Sequence, residues 1–305
     1  MELGVAIPHT GPSASAAHAR AVCQRADGLG FACLWAVDHV LLPHHTDSPY
    51  VLGRTPTLIA DGGIAAELAP NFEQHTTLSW AAGITERIGL GTAVTVLTNH
   101  NAVRHARQLA TLDLLSGGRL RVGVGVGWVR EEAEAVGMPW DHRGVRAEEH
   151  IALMRDLWCA EGDVVEFHGE FNDLAPVHVD PRPVQRPIPV YIGGHTEVAL
   201  ERAGRIGDGW ITAPLAPARV AELWPRVLEA AERAERDPAG LTLIACEAPA
   251  LGRDRADVLA EYAAIGVDHL QVRLGPDPTT AMDELEELAE LWRPDDIADE
   301  GATRM

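Results

Sequence analysis

The stretch that decides the fold reads Gly117–Gly118–Arg119–Leu120–Arg121–Val122–Gly123–Val124–Gly125–Val126–Gly127–Trp128, followed by Val129–Arg130–Glu131–Glu132. It opens on a Gly-Gly turn, continues as a short Val/Leu run and ends in glycines spaced two apart. An aromatic and the acidic first turn of a helix follow. A short apolar run bounded by turn residues reads as a buried parallel strand. Glycine weakens a strand interior and marks a place where another backbone or a ligand approaches closely. The three glycines at the carboxyl end therefore read as a floor under something flat.

Working outward, strand-like and helix-like segments alternate along the whole chain. The other strand candidates are Leu3–Ile7, Ala32–Val37, Ile88–Thr95, Val190–Ile192, Gly209–Thr212, Leu241–Cys246 and Asp268–Arg273. The first helix, capped by Ser13 or Ser15, carries Ala17, Ala21, Val22 and Leu29 at helical spacing and stops at Gly28–Leu29–Gly30. Val103–Leu115 reads as a helix with Leu109, Leu112 and Leu115 inward, and Arg143–Trp158 as one burying Ile151, Met154, Leu157 and Trp158. Further helices are read at Leu58–Leu68, Glu197–Ile206, Ala218–Arg236 (with Pro225 kinking it or marking its start), Ala256–Ile265 and Met282–Leu291. Val164–Val179 reads as a β-hairpin excursion. Eight strands alternating with helices fit a (β/α)8 TIM barrel, with a doubly wound sheet as the competitor that the count of eight disfavours. The expectation is a single barrel domain over residues 1–305 with insertions around 41–72 and 159–188.

Composition narrows the partners. A formal net charge of −20 excludes a nucleic-acid or anionic-membrane surface, since both need clustered cations. The positive charge is carried by Arg, which suits bidentate contacts to carboxylates and phosphates. Cys23, Cys33, Cys159 and Cys246 have no paired spacing, so they read as reduced core thiols rather than a disulfide framework or zinc knuckle. No basic region precedes an apolar run at the start and no apolar segment reaches bilayer length; the expectation is a cytoplasmic protein acting on a small molecule.

In either α/β fold the chemistry sits at the carboxyl ends of the strands. Those ends carry Asp38–His39, Val94–Thr95, Gly125, Gly127 and Trp128, Gly193–Gly194–His195–Thr196, and Thr212. The Gly193–Gly194 pair opens a helix and offers free N–H groups plus the Thr196 hydroxyl, as a phosphate site does; the alternative is a turn that merely links strand to helix. Asp38–His39 reads either as an acid/base pair, with the carboxylate orienting the imidazole, or as an Asp cap beside a partly exposed His. Gly123–Gly125–Gly127 lacks the spacing of a dinucleotide fingerprint. Asp38, His39, His44, His45 and Asp47 lack the fixed spacing of a metal site, and no metal is expected. No Ser or Cys stands in a nucleophile motif.

These residues resemble a known family. Arg119 to Trp128 with Glu131–Glu132, Gly137–Met138–Pro139, Arg143–Gly144 and Leu157–Trp158 is similar to the luciferase-like flavin and deazaflavin oxidoreductases. The same holds for Pro181–Arg182–Pro183–Val184–Gln185–Arg186–Pro187 leading to Tyr191–Ile192–Gly193–Gly194, and for Ala203–Gly204–Arg205–Ile206–Gly207–Asp208–Gly209–Trp210. Nearer the start, Gly30–Phe31, Trp35, Asp38–His39–Val40 and Thr85 to Thr92 fit as well. The resemblance runs from Leu3 to Trp210; the closing third carries no distinctive motif.

The resemblance implies a TIM-like barrel with a flavin-type cofactor across the strand ends and its phosphate near Gly193–Gly194. By position it implies that Asp38–His39 faces the reactive ring, Val94 backs it and Thr212 helps hold the phosphate, and that a non-proline cis peptide falls near Ala93–Val94. The Asp–His pair and the glycine–tryptophan strand end favour the deazaflavin branch: coenzyme F420, a hydride carrier, acting on an activated C=C, C=N or C=O bond, with His39 oriented by Asp38 shuttling the proton. The FMN branch, a two-component monooxygenase using O2, is the alternative, and a flavin-binding carrier without chemistry the non-enzyme alternative. A homodimer, and a flavin or F420 reductase as cofactor supplier, belong to the same expectation. The chain departs from the family pattern at four places. Trp128 stands where sugar-phosphate dehydrogenases carry an acid, Pro43 or its neighbours where they carry a Trp after the Asp–His pair, His100–Asn101–Ala102 replaces Arg-His-Pro, and Glu73 replaces an Asp.

Overall fold

Eight of the short apolar runs close on one another in the computed structural model, which describes residues 1–43, 46, 48, 68–248 and 253–292. The strands are β1 (Glu2–Ala6), β2 (Cys33–Ala36), β3 (Gly89–Val96), β4 (Leu120–Gly125), β7 (Val190–Gly193), β8 (Gly209–Pro214), β9 (Thr242–Cys246) and β10 (His269–Val272). They form a closed barrel in the order β1-β10-β9-β8-β7-β4-β3-β2, and every ladder is parallel. The (β/α)8 barrel is thus the observed architecture. The strands β5 (Val164–His168) and β6 (Asp173–His178) form a separate antiparallel hairpin, where the sequence places an insertion.

Helices follow the strands: α1 (Ala16–Leu29), α2 (Gln74–Ala82), α3 (Ala102–Ser116), α4 (Arg130–Ala135), α5 (Arg143–Cys159), α6 (Glu197–Ile206), α7 (Pro217–Arg233), α8 (Arg255–Ile265) and α9 (Pro278–Leu291). Ser15 caps α1 by accepting the His18 N–H, and Gly30 ends it in the left-handed region at φ 86°. The buried stripe of α1 is Ala19, Val22, Cys23 and Ala26, so Ala17 and Ala21 face solvent, contrary to expectation. In α3, Leu109 and Leu112 are buried but Leu115 is 71% exposed, because the buried stripe continues through Asp113 and Ser116 and leaves Leu115 on the other side of the helix. Helix α7 runs through Pro225, which lies on the exposed side; α9 starts four residues earlier than its apolar pattern, with Pro278 in its first turn and Asp277 accepting the Thr279 and Thr280 N–H groups. The helix expected at Leu58–Leu68 lies almost wholly outside the described residues. Cys159 is exposed, whereas the other three thiols are buried as expected.

The core has two layers. Residues such as Leu34, Leu90, Val122 and Leu243 point outward and pack against the helices. Cys33, Trp35, Tyr191, Ile211, Ile244 and Cys246 fill the barrel itself, with Ala93 and Val94 above them. Trp35 is fully buried and its Nε1–H has no partner. That orphan costs about 1–3 kcal/mol, against roughly 4–6 kcal/mol from burying a ring of some 150–250 Å2. The aromatic therefore holds its place inside the barrel.

Candidate active site

The carboxyl end of β2 delivers Val37–Asp38–His39, and three neighbours fix it. His9 brackets Val37, its Nε2 lying 3.1 Å from the Val37 carbonyl and 3.2 Å from the Val37 amide. Asn71 donates to the His39 carbonyl at 2.7 Å, and Gln74 at the start of α2 donates to the Ala36 carbonyl at 2.7 Å.

Asp38 and His39 do not pair with each other. Asp38, 4% exposed at its side chain, accepts the Val96 N–H at 2.9 Å and the His100 Nε2–H at 2.8 Å, tying the end of β2 to the end of β3. The carboxylate that orients His39 is Glu132: His39 Nδ1 lies 3.2 Å from both of its oxygens. Successive residues of an extended chain point to opposite sides, so neighbouring side chains diverge. Glu132, 2% exposed at its side chain, also accepts the Val40 and Leu41 N–H groups at 2.9 and 3.3 Å. Glu131, beside it on α4, accepts the Thr46 hydroxyl at 2.9 Å. The acidic first turn of α4 is thus spent on anchoring the β2 excursion. With Nδ1 held against Glu132, the orientation of the His39 ring is fixed and Nε2 is directed away from that carboxylate. The Trp128 ring stands edge-on to His39, centroids 6.4 Å apart.

The glycines after β4 are required first by β3. A Cβ on Gly123 would meet the Thr92 carbonyl at 2.3 Å, and one on Gly125 would meet Val94 Cγ2 at 2.9 Å. One on Gly127 would meet Val96 Cγ1 at 2.7 Å. The close partner predicted for them is therefore the irregular part of β3, where the register shifts between Thr92 and Thr95 and the Ala93–Val94 peptide is cis. Val94 also lies over Gly193, whose Cβ would come 3.1 Å from Val94 Cγ1. Val94, Gly125 and Gly193 thus share one patch at the barrel mouth. Thr95 is turned away from it: its hydroxyl donates to Gln74 at 2.7 Å in the helix layer.

Beyond β7, Gly194 sits at φ 111°, and a Cβ there would come 2.9 Å from the Ala199 Cβ. The Trp210 indole N–H holds the Gly194 carbonyl at 2.7 Å. Thr196 caps α6 by accepting the Ala199 N–H, and the buried Nδ1 of His195 has no partner. The Thr212 hydroxyl accepts the Cys246 N–H at 3.0 Å. A concave glycine loop at the start of a helix, with an orphaned imidazole nitrogen, has the donor chemistry of an anion cradle.

Behind Asp38 runs a chain of imidazoles. His100 stacks on His105 at 4.8 Å between centroids, His105 Nδ1 lies 3.1 Å from His150 Nε2, and the His75 ring stands edge-on to both His100 and His105 at 5.2 Å. Burial, joined by the neighbouring imidazoles, holds His105 well below its ordinary pKa, and burial with His100 lowers His150 to about 3. Both are therefore neutral at neutral pH. The unfolded chain takes up these protons near pH 6.5 while the folded chain does not, so stability is full above that value. It falls as the pH drops towards 3, by up to about 1.4 kcal/mol per pH unit for each histidine. The unfolding midpoint, followed from pH 7 to pH 4, is expected to fall accordingly. His150→Gln, which keeps a hydrogen-bonding group for His105 but cannot titrate, is expected to flatten that slope.

Among the described residues no group of three or more His, Cys, Asp or Glu is placed to hold a metal ion; His44, His45 and Asp47 lie outside them. Among the same residues no helix is long and apolar enough to cross a membrane. Glu132, Gln74, His9 and His100 are the site residues to which sequence reading assigns no role. Glu132 was visible only as half of an acidic helix start, 93 positions from its partner.

Known proteins are similar to this chain in sequence and in fold. The sequence is 33% identical over 195 residues to an uncharacterized protein of Mycobacterium tuberculosis (strain H37Rv), covering 64% of this chain and 67% of that one. It is 32% identical over 252 residues to the phthiodiolone/phenolphthiodiolone dimycocerosates ketoreductase of Mycobacterium bovis (strain BCG Pasteur), covering 79% of this chain and 62% of the ketoreductase. Its fold matches the monooxygenase RslO1 of Streptomyces bottropensis with a TM-score of 0.74 at 22% identity, over 97% of this chain and 99% of that one. An F420-dependent secondary alcohol dehydrogenase matches with a TM-score of 0.76 at 18% identity, over 96% and 99%. The sequence profile of the luciferase-like monooxygenase family matches residues 1–303, and the chain belongs to that family.

Proposed function

We propose that this luciferase-like oxidoreductase transfers a hydride between a deazaflavin of the F420 type and a small organic substrate with an activated C=C, C=N or C=O bond. The observation that carries the reading is the buried Glu132 carboxylate holding His39 Nδ1 at the barrel mouth. A histidine with one nitrogen locked and the other free is a general acid/base in a fixed orientation. Trp128 cannot exchange a proton, so His39 is the group that does. When bound, the deazaflavin supplies the hydride as a two-electron carrier.

The residues present fit such a group. Gly193, Gly194 and the orphaned His195 Nδ1, with Thr196 and Thr212, are the donors for its phosphate. Val94, Gly125, Gly127 and Trp128 are the surface for its ring. Asp38 acts as a positioning residue by holding Val96 and His100, which sets where β3 ends. His39 Nε2 takes or gives the substrate proton while Glu132 stabilises the imidazolium formed in between. In the same reading the enzyme works in the cytoplasm as a homodimer, and a separate reductase supplies the reduced cofactor.

Titrating the purified chain with F420 and with FMN, each followed by fluorescence, tests the cofactor. F420 is expected to bind at least about tenfold more tightly, a difference of about 1.4 kcal/mol. Tighter FMN binding together with oxygen uptake on reduced FMN would instead establish a two-component monooxygenase.

A further inference from the structure

Beside the barrel mouth, the turn Leu97–Asn99 after β3, the start of α3, α5 and the tip of the β5–β6 hairpin line a cavity of about 260 Å3. Its wall includes His100, Met138, Arg143, Arg146, Phe171 and Asn172, and among the described residues no carboxylate lines it. The volume is just below the roughly 300–1,000 Å3 typical of a drug-sized ligand, which limits any occupant to a small molecule.

The charge of this cavity is unusual for a chain of net charge −20. Arg155, further along α5, pairs with Asp208 at 2.9 Å, and Arg202 and Arg205 share Glu148. Arg143 and Arg146 instead lie on aromatic rings, Arg143 4.1 Å from the Trp140 centroid and Arg146 4.5 Å from that of Phe171. Among the described residues neither forms an ion pair, and the buried Nε of Arg143 has no hydrogen-bond partner. A buried guanidinium N–H without an acceptor costs free energy that a bound oxyanion would recover. His150, also in the wall, is neutral, and the two arginines are permanent cations of the wall.

The hairpin side is held in place. The Glu149 carboxylate accepts the backbone N–H groups of Glu170, Phe171 and Asn172 at 2.7, 3.0 and 2.5 Å, which presents Phe171 and Asn172 to the cavity. On the inner side His100 donates to Asp38, so the cavity adjoins the barrel mouth through one side chain.

We propose that this cavity is a ligand site for a small organic acid, with its carboxylate held by Arg143 and Arg146 and its apolar body against Met138 and Phe171. Planar guanidinium forks, oriented by the rings beneath them, match a carboxylate or phosphate oxygen pair. The apolar wall selects a carboxylate with a hydrocarbon body over an inorganic oxyanion. The site is separate from the Gly193–Gly194 loop and does not depend on which cofactor the barrel takes.

Calorimetric titration of the cofactor-free chain with benzoate and with inorganic phosphate tests this. Benzoate is expected to bind saturably with a dissociation constant in the millimolar range or below. The Arg143→Gln/Arg146→Gln variant, with an unchanged circular dichroism spectrum, is expected to bind it about tenfold or more weakly. In the unaltered chain, benzoate is expected to slow phenylglyoxal modification of Arg143 and Arg146, read by peptide mass spectrometry, and to leave exposed Arg130 unaffected. Absence of saturable binding, equal affinity in the folded double variant, or no protection of the two arginines overturns the site. Phosphate binding more tightly than benzoate overturns its assignment to an organic acid. Loss of F420 binding elsewhere changes none of these readouts, so the cofactor reading and this one fail separately.

Discussion

Replacing His39 with Ala is expected to lower turnover by about 10²–10⁴-fold, the usual worth of a positioned general acid/base, while cofactor affinity changes little. The ring is held by Glu132 and stands beside Trp128, so its removal takes away the proton-handling group and leaves the glycine loop at Gly193–Gly194 intact. The measurement is steady-state turnover at saturating cofactor, paired with a fluorescence titration of cofactor binding. Unchanged turnover would remove His39 from the mechanism. Glu132→Gln separates orientation from chemistry. It keeps a similar shape but withdraws the charge opposite a protonated ring, and should lower turnover less than His39→Ala does. Asp38→Asn should act differently again, because Asp38 holds Val96 and His100 and makes no contact with the His39 ring.

The second large effect concerns stability. Gly91→Ala would place a methyl group 2.2 and 2.3 Å from Trp35 Cε3 and Cζ3, where carbon atoms need about 3.5–4.0 Å. The ring cannot retreat, because Gly4 on the opposite strand lies as close: a Cβ there would be 2.4 Å from Trp35 Nε1. Trp35 is thus wedged between β1 and β3 across β2, and both glycines are the space it occupies. The added methyl is expected to cost about 3 kcal/mol, the upper end of ordinary overpacking, and to lower the unfolding midpoint by roughly 5 °C in a chain of this size. Thermal unfolding followed by circular dichroism measures it. Combining Gly91→Ala with Trp35→Leu should cost less than the sum of the two single changes, since the smaller side chain vacates the space the methyl needs. A strictly additive pair would show that the clash is relieved elsewhere.

Much of the fold is legible from local pattern. Val122 and Val124, Leu90, and Ile192 lie in short apolar runs bounded by glycines, and such runs become buried parallel strands wherever they sit in a barrel. Helix ends follow the same logic, as at Ser15 and Gly30 of α1. The failures are failures of facing. Ala17 and Leu115 fit a helical stripe on paper, but an alanine-rich helix has more than one apolar face, and only packing selects which is buried.

The candidate site divides in the same way. The sequence by itself determined which residues reach the mouth, because strand ends are set by local chain chemistry and a barrel gathers all eight ends on one side. Asp38–His39, Val94, Gly125, Gly193 and Thr212 were legible on that ground. Only the tertiary structure decided what those residues touch. His39 turns to Glu132 rather than to the aspartate beside it, Thr95 turns to Gln74, and the strand-four glycines make room for β3 before they make room for any ligand. The physical reason is that hydrogen bonds and close contacts depend on distance in space. Residues 93 positions apart leave no periodic trace in the sequence, whereas the strands that carry them do.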